Sequence, residues 1–418
     1  MPGVIAPQLP IPACSVSPPC ERVDLSSIYL DHNATTPLDP EVLEAMRPYF
    51  LTAGNADSRH TAGHQARRAW EEAKETVARI LGAEPGEVIF TSGGTEANNL
   101  AVFGLAGIHQ VPGHVVSSPI EHPAVAEAVA RLEVEKFRVD RPPVNAEGLA
   151  DAELMAAEFT ERTRLATLML ANNETGAIQP VQRLAGLALV QGIPVHTDAV
   201  QAVGRIPVNF HALGVTSLAA SAHKFHGPLG VGLLLVRKGF RLRSWLVGGG
   251  QQQGRRPGTM AVPLAVGLAV ALERWHARAE TRMARWVALR DRLETGLIAA
   301  LGVDRVIRNG PADSALRLPQ TVNLGFVGLD GDALLMQLDL AGIAVSLGSA
   351  CASGSTRLSP TLVAMRVPDD RLRSSVRFSL GASTTETDIE EAICRIIKVV
   401  ERIRAIQVDA SMHELHEP

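Results

Sequence analysis

A lysine and an aspartate each close a short apolar run in this sequence. Lys224 ends the motif Ser-Ala-His-Lys at residues 221–224, and Asp198 follows Pro-Val-His-Thr at residues 194–197. A lysine at the mouth of a buried strand can form a Schiff base when its surroundings lower its pKa. A carboxylate in such a place is costly unless it is paired, and a protonated pyridine nitrogen would suit it. A solvated lysine and a capping aspartate are the simpler interpretations of each residue alone.

Two further segments have the composition of a phosphate site. Gly94 and Thr95 follow an apolar run and open a predicted helix. Small residues there let backbone N–H groups approach a phosphate, with the positive end of the helix behind them. Ser221 and His223 alternate along the chain, so an extended backbone would turn both side chains to one side. An ordinary turn with a helix N-cap would explain Gly94 and Thr95 equally well.

The last third of the chain contains a cysteine and an arginine in unusual settings. Cys351 lies in residues 346–355, six of which are Gly or Ser. Such a loop is a poor place for a structural cysteine and suits a thiol that must reach a site, although an incidental cysteine fits too. Arg377 lies in a predicted strand, where its fork suits a substrate carboxylate or a structural ion pair. Cys394 falls in an apolar helical pattern, which predicts a core position.

The elements that position these residues follow from the hydrophobic pattern. Short apolar runs alternate with helical stretches up to about residue 275, which is typical of βαβ units and a largely parallel sheet. Ligands gather at the carboxyl ends of such strands, so the residues after each run are the candidates for chemistry. The predicted strands are residues 88–91, 115–118, 165–170, 194–197, 218–221 and 231–236.

Beyond Trp275 the pattern changes to that of a smaller α+β unit. A single charged helix is predicted over residues 273–301, followed by strands near 321–326 and 375–380 and a helix near 388–406. We therefore expect a large domain at 36–275 and a small domain formed by 26–35 and 276–418, which carries the Cys351 loop. Residues 1–25, which are rich in proline and contain Cys14 and Cys20, are expected to be a disordered extension.

Composition narrows the class of protein. Hydrophobic residues make up 46% and charged residues 20%, an ordinary globular balance, and the net charge of −4 gives no sign of nucleic-acid or membrane-surface binding. The longest apolar run, residues 261–272, is shorter than the roughly 20 residues of a membrane-spanning helix. Four cysteines in 418 residues do not form a disulfide framework and fit a reducing cytoplasm. No metal site is predicted, because His223 and His226 have no further ligands at a recognisable spacing.

Taken in order, these segments resemble the cysteine desulfurases of the class V aminotransferase group, those of iron–sulfur cluster assembly and nitrogen fixation. The resemblance covers residues 28–406 and implies an α/β fold, the fold type I of transferases that depend on pyridoxal phosphate (PLP). Its motifs are YLDHNATTP at 29–37, TSGGTE at 91–96, EH at 121–122, NNETG at 172–176, HTDAVQ at 196–201, SAHK at 221–224, GT at 258–259, GSAC at 348–351 and RFS at 377–379.

The resemblance also implies roles for individual residues. PLP would be held covalently on Lys224, with Asp198 on its ring nitrogen and His122 stacked over the ring to transfer protons. The implied cofactor contacts are Gly94, Thr95, His122, Asn173, Asp198, Gln201, Ser221, His223, Lys224 and Thr259, the last reaching across from the second subunit of a homodimer. Asn33 and Arg377 would bind the substrate carboxylate.

The implied reaction takes sulfur from L-cysteine. The Cys351 thiolate attacks the substrate sulfur, which gives L-alanine and a persulfide for an acceptor protein. Iron–sulfur cluster assembly is the expected pathway. Thiolation of tRNA and phosphorothioation of DNA stay open, because the chain departs from the family pattern at residues 55–58, 226, 229, 252 and 357–360. We expect a cytoplasmic enzyme without direct nucleic-acid binding.

Three other functions compete with this interpretation. A selenocysteine lyase or an aminotransferase would use the same fold and cofactor, but an aminotransferase has no use for Cys351 in a glycine-rich loop. A non-catalytic scaffold for sulfur-transfer partners would need none of Lys224, Asp198, His122 and Arg377. The sequence therefore favours a desulfurase.

Overall fold

The computed structural model describes residues 27–107, 111–347 and 358–414, with side chains described up to residue 407. The predicted N-terminal extension with Cys14 and Cys20, and Cys351 with most of its loop, lie outside these residues. The strands are β1 Ile28–Tyr29, β2 Val88–Thr91, β3 His114–Ser117, β4 Arg138–Asp140, β5 Thr163–Thr167, β6 Val195–Asp198, β7 Ser217–Ser221, β8 Gly232–Val236, β9 Val306–Asn309, β10 Thr321–Phe326, β11 Ile343–Ala344 and β12 Ser375–Ser379. The helices are α1 Pro40–Leu51, α2 Thr61–Leu81, α3 Gly94–Ala106, α4 Pro123–Val134, α5 Ala152–Ala157, α6 Val181–Val190, α7 Phe210–Leu213, α8 Val262–His276, α9 Ala279–Leu301, α10 Gly331–Leu340, α11 Pro360–Ala364, α12 Asp369–Leu372 and α13 Glu386–Glu414.

A seven-stranded sheet forms the centre of the larger part of the molecule. Its strand order is β2-β8-β7-β6-β5-β3-β4. The neighbours from β7 to β4 are parallel, and β8 is antiparallel to both β7 and β2. It follows that β2 runs in the same direction as β7. The carboxyl ends of β2, β3, β5, β6 and β7 therefore lie along one edge.

Helices cover this sheet and form the main hydrophobic core. In α2 the buried residues Ala66, Ala69, Trp70, Ala73 and Val77 recur every three or four positions, so one face packs inward. The predicted single helix over residues 273–301 is wrong, because α8 ends at His276 and α9 begins at Ala279. Trp275 is buried in the main core, whereas the α9 residues from Trp286 onward pack in a second core. The chain therefore changes direction between the two helices.

The second core lies around a smaller sheet of order β12-β10-β9. The first strand, β1, pairs in parallel with β11, and Asp31 then forms a parallel bridge with Ser379 at the end of β12. The expected core position of Cys394 is wrong: its thiol is exposed and free. In α13 the buried face is formed by Ile389, Ala392, Ile396, Val400 and Ile403, and Cys394 lies off that face of the helix.

Among the described residues, none of the helices combines the length and the apolar composition that crossing a membrane requires.

The segment after β1 connects the small sheet to the edge of the large sheet. It reaches the end of β7, where the backbone N–H of Thr36 donates to the carbonyl of His223 (3.0 Å). Asn33 and Ala34 are thereby held beside the edge of the large sheet.

Candidate active site

A cavity of about 380 Å³ opens at the carboxyl ends of the parallel strands. Each strand of that edge contributes the residues that follow it, as expected for an open α/β sheet. Eleven of the residues singled out in the sequence line its wall: Asn33, Gly94, Thr95, His122, Asn173, Asp198, Gln201, Ser221, His223, Lys224 and Arg377.

The Lys224 amine lies at the end of β7. Residues Ala222–Lys224 form a single 3-10 turn instead of continuing the strand, so the extended alternation expected for Ser221 and His223 is wrong. The turn still directs both side chains to the cavity. The Lys224 Nζ donates to the carbonyl oxygens of Asn33 (2.6 Å) and Ala34 (2.8 Å). These two bonds fix the amine on the cavity wall.

Asp198 ends β6, and its carboxylate is fixed from both sides. The backbone N–H of Val200 donates to Oδ1 (2.9 Å), and the Asn98 amide donates to Oδ2 (2.7 Å). Only 4% of the residue is exposed, so the charge has few water contacts and depends on these donors. A cation or an N–H group inside the cavity would complete its hydrogen bonding.

The start of α3 leaves room for a close approach to the backbone. A Cβ atom at Gly94 would lie 2.7 Å from Val200 Cγ2 and 3.5 Å from Ser221 Cβ, which means that a side chain there would fill the gap. The N–H groups of the first helical turn have no intrahelical acceptor. His223, whose Nδ1 lies 3.1 Å from Thr35 Oγ1, completes this side of the cavity. Burial, followed by the Lys224 charge, lowers the pKa of His223 to about 4.

His122 is the N-cap residue of α4. Its Nδ1 accepts a hydrogen bond from the backbone N–H of Ala124 (3.1 Å), so the proton of the neutral ring is on Nε2. Burial lowers the pKa of His122, Asp198 opposes that shift, and the charges of Lys224 and Arg377 add to it. At neutral pH the uncharged ring therefore presents an Nε2–H donor to a group in the cavity.

Arg377 and Asn33 lie together on the small-sheet side of the cavity. Arg377 Nη2 pairs with Asp31 (2.6 Å), and Nη1 donates to the carbonyl of Asn173 (3.2 Å). The Asn33 amide donates to Thr321 Oγ1 (2.9 Å) and to the same carbonyl (3.2 Å). The Nε of Arg377 and the Oε1 of Gln201 are buried and lack a hydrogen-bond partner, so the wall retains polar groups that a ligand can satisfy.

Two predicted site residues are not placed in this cavity. Thr259 is exposed and does not line it. The loop before Thr259 is attached to its own chain, because the Gln252 amide pairs with both backbone groups of Phe90 (2.8 Å each) and Arg256 forms an ion pair with Glu96. Cys351 lies outside the described residues, and its position in the site stays a prediction.

Comparison with known proteins identifies the family. The model of the class-V aminotransferases matches residues 28–391. A cysteine desulfurase from Trichormus azollae is 43% identical over 383 residues, which cover 91% of this chain and 95% of that protein. Cysteine desulfurase IscS from Dictyoglomus turgidum is 41% identical over 381 residues, which cover 91% and 96%. A solved NifS-like protein has a TM-score of 0.83 at 34% identity and covers 90% of this chain and 99% of its own.

The chain belongs to the class-V aminotransferase family. Membership confirms the predicted fold and PLP as the cofactor, and the named relatives confirm the predicted enzyme class, the cysteine desulfurases. The roles of the individual site residues, the domain boundaries and the subunit arrangement stay predictions.

The cavity of this family member fits PLP. A carboxylate with free lone pairs (Asp198) suits the ring nitrogen, and the amine of Lys224 suits the aldehyde. The open helix start at Gly94, next to Ser221 and His223, suits the phosphate. The buried Oε1 of Gln201, which has no partner, provides a further acceptor at the wall.

Two residues beside the cofactor site have roles that the sequence did not predict. Asn98 lines the cavity and binds Asp198, and the spacing Gly94 to Asn98 places both on one face of α3, one turn apart. Glu121 is buried next to His122, and its Oε1 accepts hydrogen bonds from Met169 (2.9 Å) and Thr167 (3.3 Å). Glu121 belongs to the EH motif at 121–122, but no local pattern indicates its burial against Thr167 and Met169, which lie 46 and 48 positions further along the chain.

Glu121 is expected to make the stability of the protein depend on pH. Burial, followed by the Asp198 charge, raises the pKa of this carboxyl from 4.5 to about 8. Between these two values the folded protein binds a proton that the unfolded chain lacks, so Glu121 destabilises the fold progressively as the pH rises. Glu121→Gln mimics the protonated acid, and we expect its melting temperature to exceed that of the wild type at pH 8 but not at pH 4.5.

The measurement is a series of thermal melts of both proteins across this window. Glu127→Gln, which changes an exposed acid in the following helix α4, is the matched control and should follow the wild type. Parallel profiles for Glu121→Gln and the wild type would show that Glu121 is ionised in the fold.

Proposed function

We propose that this enzyme takes the sulfur atom from L-cysteine, releases L-alanine and carries the sulfur as a persulfide on Cys351. The observation that carries the proposal is that the amine of Lys224, the carboxylate of Asp198 and the guanidinium of Arg377 line one cavity. The amine matches the aldehyde of PLP, and the carboxylate matches its ring nitrogen. The guanidinium matches the carboxylate of an amino acid. Bound PLP supplies an electron sink for the bonds at the substrate α-carbon.

Lys224 and His122 are the residues that move protons in this proposal. The carbonyl oxygens of Asn33 and Ala34 hold the Lys224 Nζ on the wall of the cavity, where it both anchors the cofactor and exchanges a proton at the α-carbon. His122 has only Nε2 for this purpose, because Ala124 occupies Nδ1. The lowered pKa of His122 keeps the ring neutral at neutral pH, so Nε2 carries a proton that it can donate to a group in the cavity. The ring takes up a substrate proton only when Nδ1 gives up its bond from the Ala124 N–H.

Arg377 orients the substrate. Its Nη2 is held by Asp31 and its Nη1 by the carbonyl of Asn173, so the guanidinium plane is fixed before a substrate arrives. A fixed fork beside the cavity binds a carboxylate at a small entropic cost. Asn33, which is anchored to Thr321, lies next to it and is proposed as the second carboxylate contact.

Cys351 accepts the sulfur. Its thiolate attacks the substrate sulfur, an S–S bond forms, and the electron pair of the broken C–S bond remains with the substrate carbon, which ends as the protonated methyl group of alanine. The residues that flank the Cys351 segment lie against the site. Ser346 pairs with the backbone of Arg377, and the Ser359 hydroxyl donates to Glu174 (2.5 Å), the neighbour of Asn173.

The activity is tested with purified protein, L-cysteine and a reductant. We expect alanine and sulfide in equal amounts, and a yellow protein whose colour borohydride removes. Alanine from selenocysteine but none from cysteine would contradict the proposal and favour a selenocysteine lyase. A colourless protein that releases neither product would favour a scaffold.

The active form is proposed to be a homodimer in which Thr259 binds the phosphate of the neighbouring site. Three observations support a dimer: Thr259 is exposed, its loop is anchored to the edge strand β2, and α1 exposes Leu43, Phe50 and Leu51. Thr259→Asp would place a negative charge beside that phosphate. We expect this variant and Lys224→Ala to be inactive alone.

A mixture of the two variants, refolded or co-expressed, distinguishes the arrangements. If Thr259 acts across the interface, each mixed dimer has one site with both native residues, and activity returns. If Thr259 acts within its own subunit, every site of the mixed dimer lacks either Lys224 or Thr259, and activity does not return. Failure to regain activity in mixed dimers, or an active monomer in light scattering, would contradict the proposal.

The acceptor and the location are also proposed. We infer a cytoplasmic enzyme that delivers sulfur to iron–sulfur cluster assembly, with tRNA thiolation and DNA phosphorothioation as the alternatives. Capture of partners on the persulfidated protein tests this. Recovery of a tRNA-modifying or DNA-modifying enzyme in place of a cluster scaffold would contradict it.

A further inference from the structure

A buried chain of hydrogen bonds runs from Asp198 into the core of the large domain. Asp198 Oδ2 accepts from Asn98 Nδ2 (2.7 Å), Asn98 Oδ1 lies 3.0 Å from His196 Nε2, and His196 Nδ1 lies 2.9 Å from Ser217 Oγ. Asn98, His196 and Ser217 are each at most 1% exposed. Three polar side chains in the core are costly unless each satisfies the next, so this arrangement calls for an explanation beyond packing.

The hydrogen bonds between Asp198 and Ser217 can run in only one donor-to-acceptor direction. A carboxylate only accepts hydrogen bonds, so the Asn98 amide must turn its NH₂ group to Asp198 and its carbonyl oxygen to His196. That carbonyl needs a donor, which places the proton of His196 on Nε2. Nδ1 then accepts from the Ser217 hydroxyl. Burial lowers the pKa of His196 to about 3, so the ring carries one proton throughout the physiological range and the direction is fixed.

Asn98 also connects the two ends of the cofactor site. It lies one helical turn after Gly94 in α3, the helix whose start borders the phosphate side. Its amide reaches the carboxylate proposed for the ring nitrogen, on the other side of the cavity. A single rigid helix thus sets the distance between the two groups that PLP must span.

We propose that Asn98 is a positioning residue that holds the Asp198 carboxylate toward the ring nitrogen of PLP, with His196 and Ser217 orienting its amide. The proposal rests on the placement of the ring nitrogen at Asp198 argued above. Asn98 does not react; it prevents the carboxylate from rotating away and adds a donor to Oδ2. Loss of that donor weakens the pairing between Asp198 and the ring nitrogen.

The neighbouring Asn99 offers a matched control. It is also an asparagine of α3 with two hydrogen bonds, to the carbonyls of Thr95 and Ala124 (3.0 Å each), but it does not bind Asp198. Asn98→Leu and Asn99→Leu remove an amide of the same size from the same helix. Because Asn98 is buried and Asn99 only partly buried, a purely structural role for Asn98 predicts a lower melting temperature in Asn98→Leu without a selective change at the ring nitrogen.

The test uses the purified protein reconstituted with PLP labelled with ¹⁵N in the ring, and it reads the ring-nitrogen chemical shift and the PLP dissociation constant. We expect a protonated nitrogen in the wild type and Asn99→Leu. In Asn98→Leu we expect a shift toward the unprotonated nitrogen and about tenfold weaker PLP binding, the usual effect of losing one hydrogen bond to a charged group. His196→Leu should change the ring-nitrogen shift and the PLP dissociation constant in the same direction as Asn98→Leu does, but by smaller amounts.

Asp198→Ala separates this inference from the function proposed above. If Asp198→Ala leaves the ring-nitrogen shift unchanged, the placement of the ring is wrong. If Asp198→Ala changes the shift but Asn98→Leu and His196→Leu match the wild type, the positioning role of Asn98 is overturned. Should Asn98→Leu fail to fold, the shift of His196→Leu decides.

Discussion

Replacement of Cys351 by alanine is expected to abolish the release of alanine and sulfide from L-cysteine while the protein still binds PLP and cysteine. A methyl group cannot accept a sulfur atom, so the reaction stops with the sulfur still on the substrate. We expect activity to fall by roughly a thousandfold or more, the loss typical of removing a catalytic nucleophile. Selenocysteine should be less affected, because selenium leaves with less help. The measurement is the alanine yield, together with the PLP spectrum and a thermal melt.

Cys394 is the matched control for this experiment. It is a free, exposed thiol that does not line the cavity, so Cys394→Ala should keep wild-type activity. The melting temperature of Cys351→Ala should stay near that of the wild type, since a change in a glycine- and serine-rich loop typically alters stability by about 0.5 kcal/mol or less. Wild-type alanine yield from Cys351→Ala would mean that sulfur does not pass through this residue.

Replacement of Lys224 by alanine is expected to remove both the covalent attachment of PLP and the proton carrier at the α-carbon. Loss of a general acid–base group alone costs about 10²–10⁴ in rate, and the lost attachment adds to this. We expect no measurable turnover, and PLP that dialysis removes after borohydride treatment. Lys238→Ala, which alters an exposed lysine just after the carboxyl end of β8, at the sheet edge opposite the cavity, should behave as the wild type.

Retention of borohydride-fixed PLP on Lys224→Ala would contradict the assignment and point to another lysine. Normal turnover by this variant would contradict the mechanism as a whole. The two measurements separate the anchoring role of Lys224 from its role in proton transfer, because a variant can lose one and keep the other.

The sequence predicted the strands and the cavity edge because their causes are local. Strands β2 and β10 begin and end as expected, since β2 is a short apolar run and β10 alternates Val322, Leu324 and Phe326 with polar or small residues. The convergence of Thr95, Asp198 and Lys224 follows from the direction of parallel strands. The family motifs added the roles of His122 and Arg377, which the hydrophobic pattern alone does not reveal.

The features that the sequence did not predict depend on distant contacts. The segment Ala277-Arg278 contains neither glycine nor proline, so packing on two different cores, and no local signal, ends α8 there. Cys394 follows an apolar residue but lies off the face that α13 buries. The partnership of Asn98 with Asp198 joins residues one hundred positions apart. Such contacts exist only in the folded chain.

The most direct test of the central claim follows the sulfur atom. Wild-type protein is mixed with a single equivalent of L-cysteine without reductant, alkylated, digested and analysed by mass spectrometry. We expect one molecule of alanine per persulfide, with the additional sulfur atom on the peptide that contains Cys351. Alanine formed without additional sulfur on that peptide, or with the sulfur on Cys394, would contradict it.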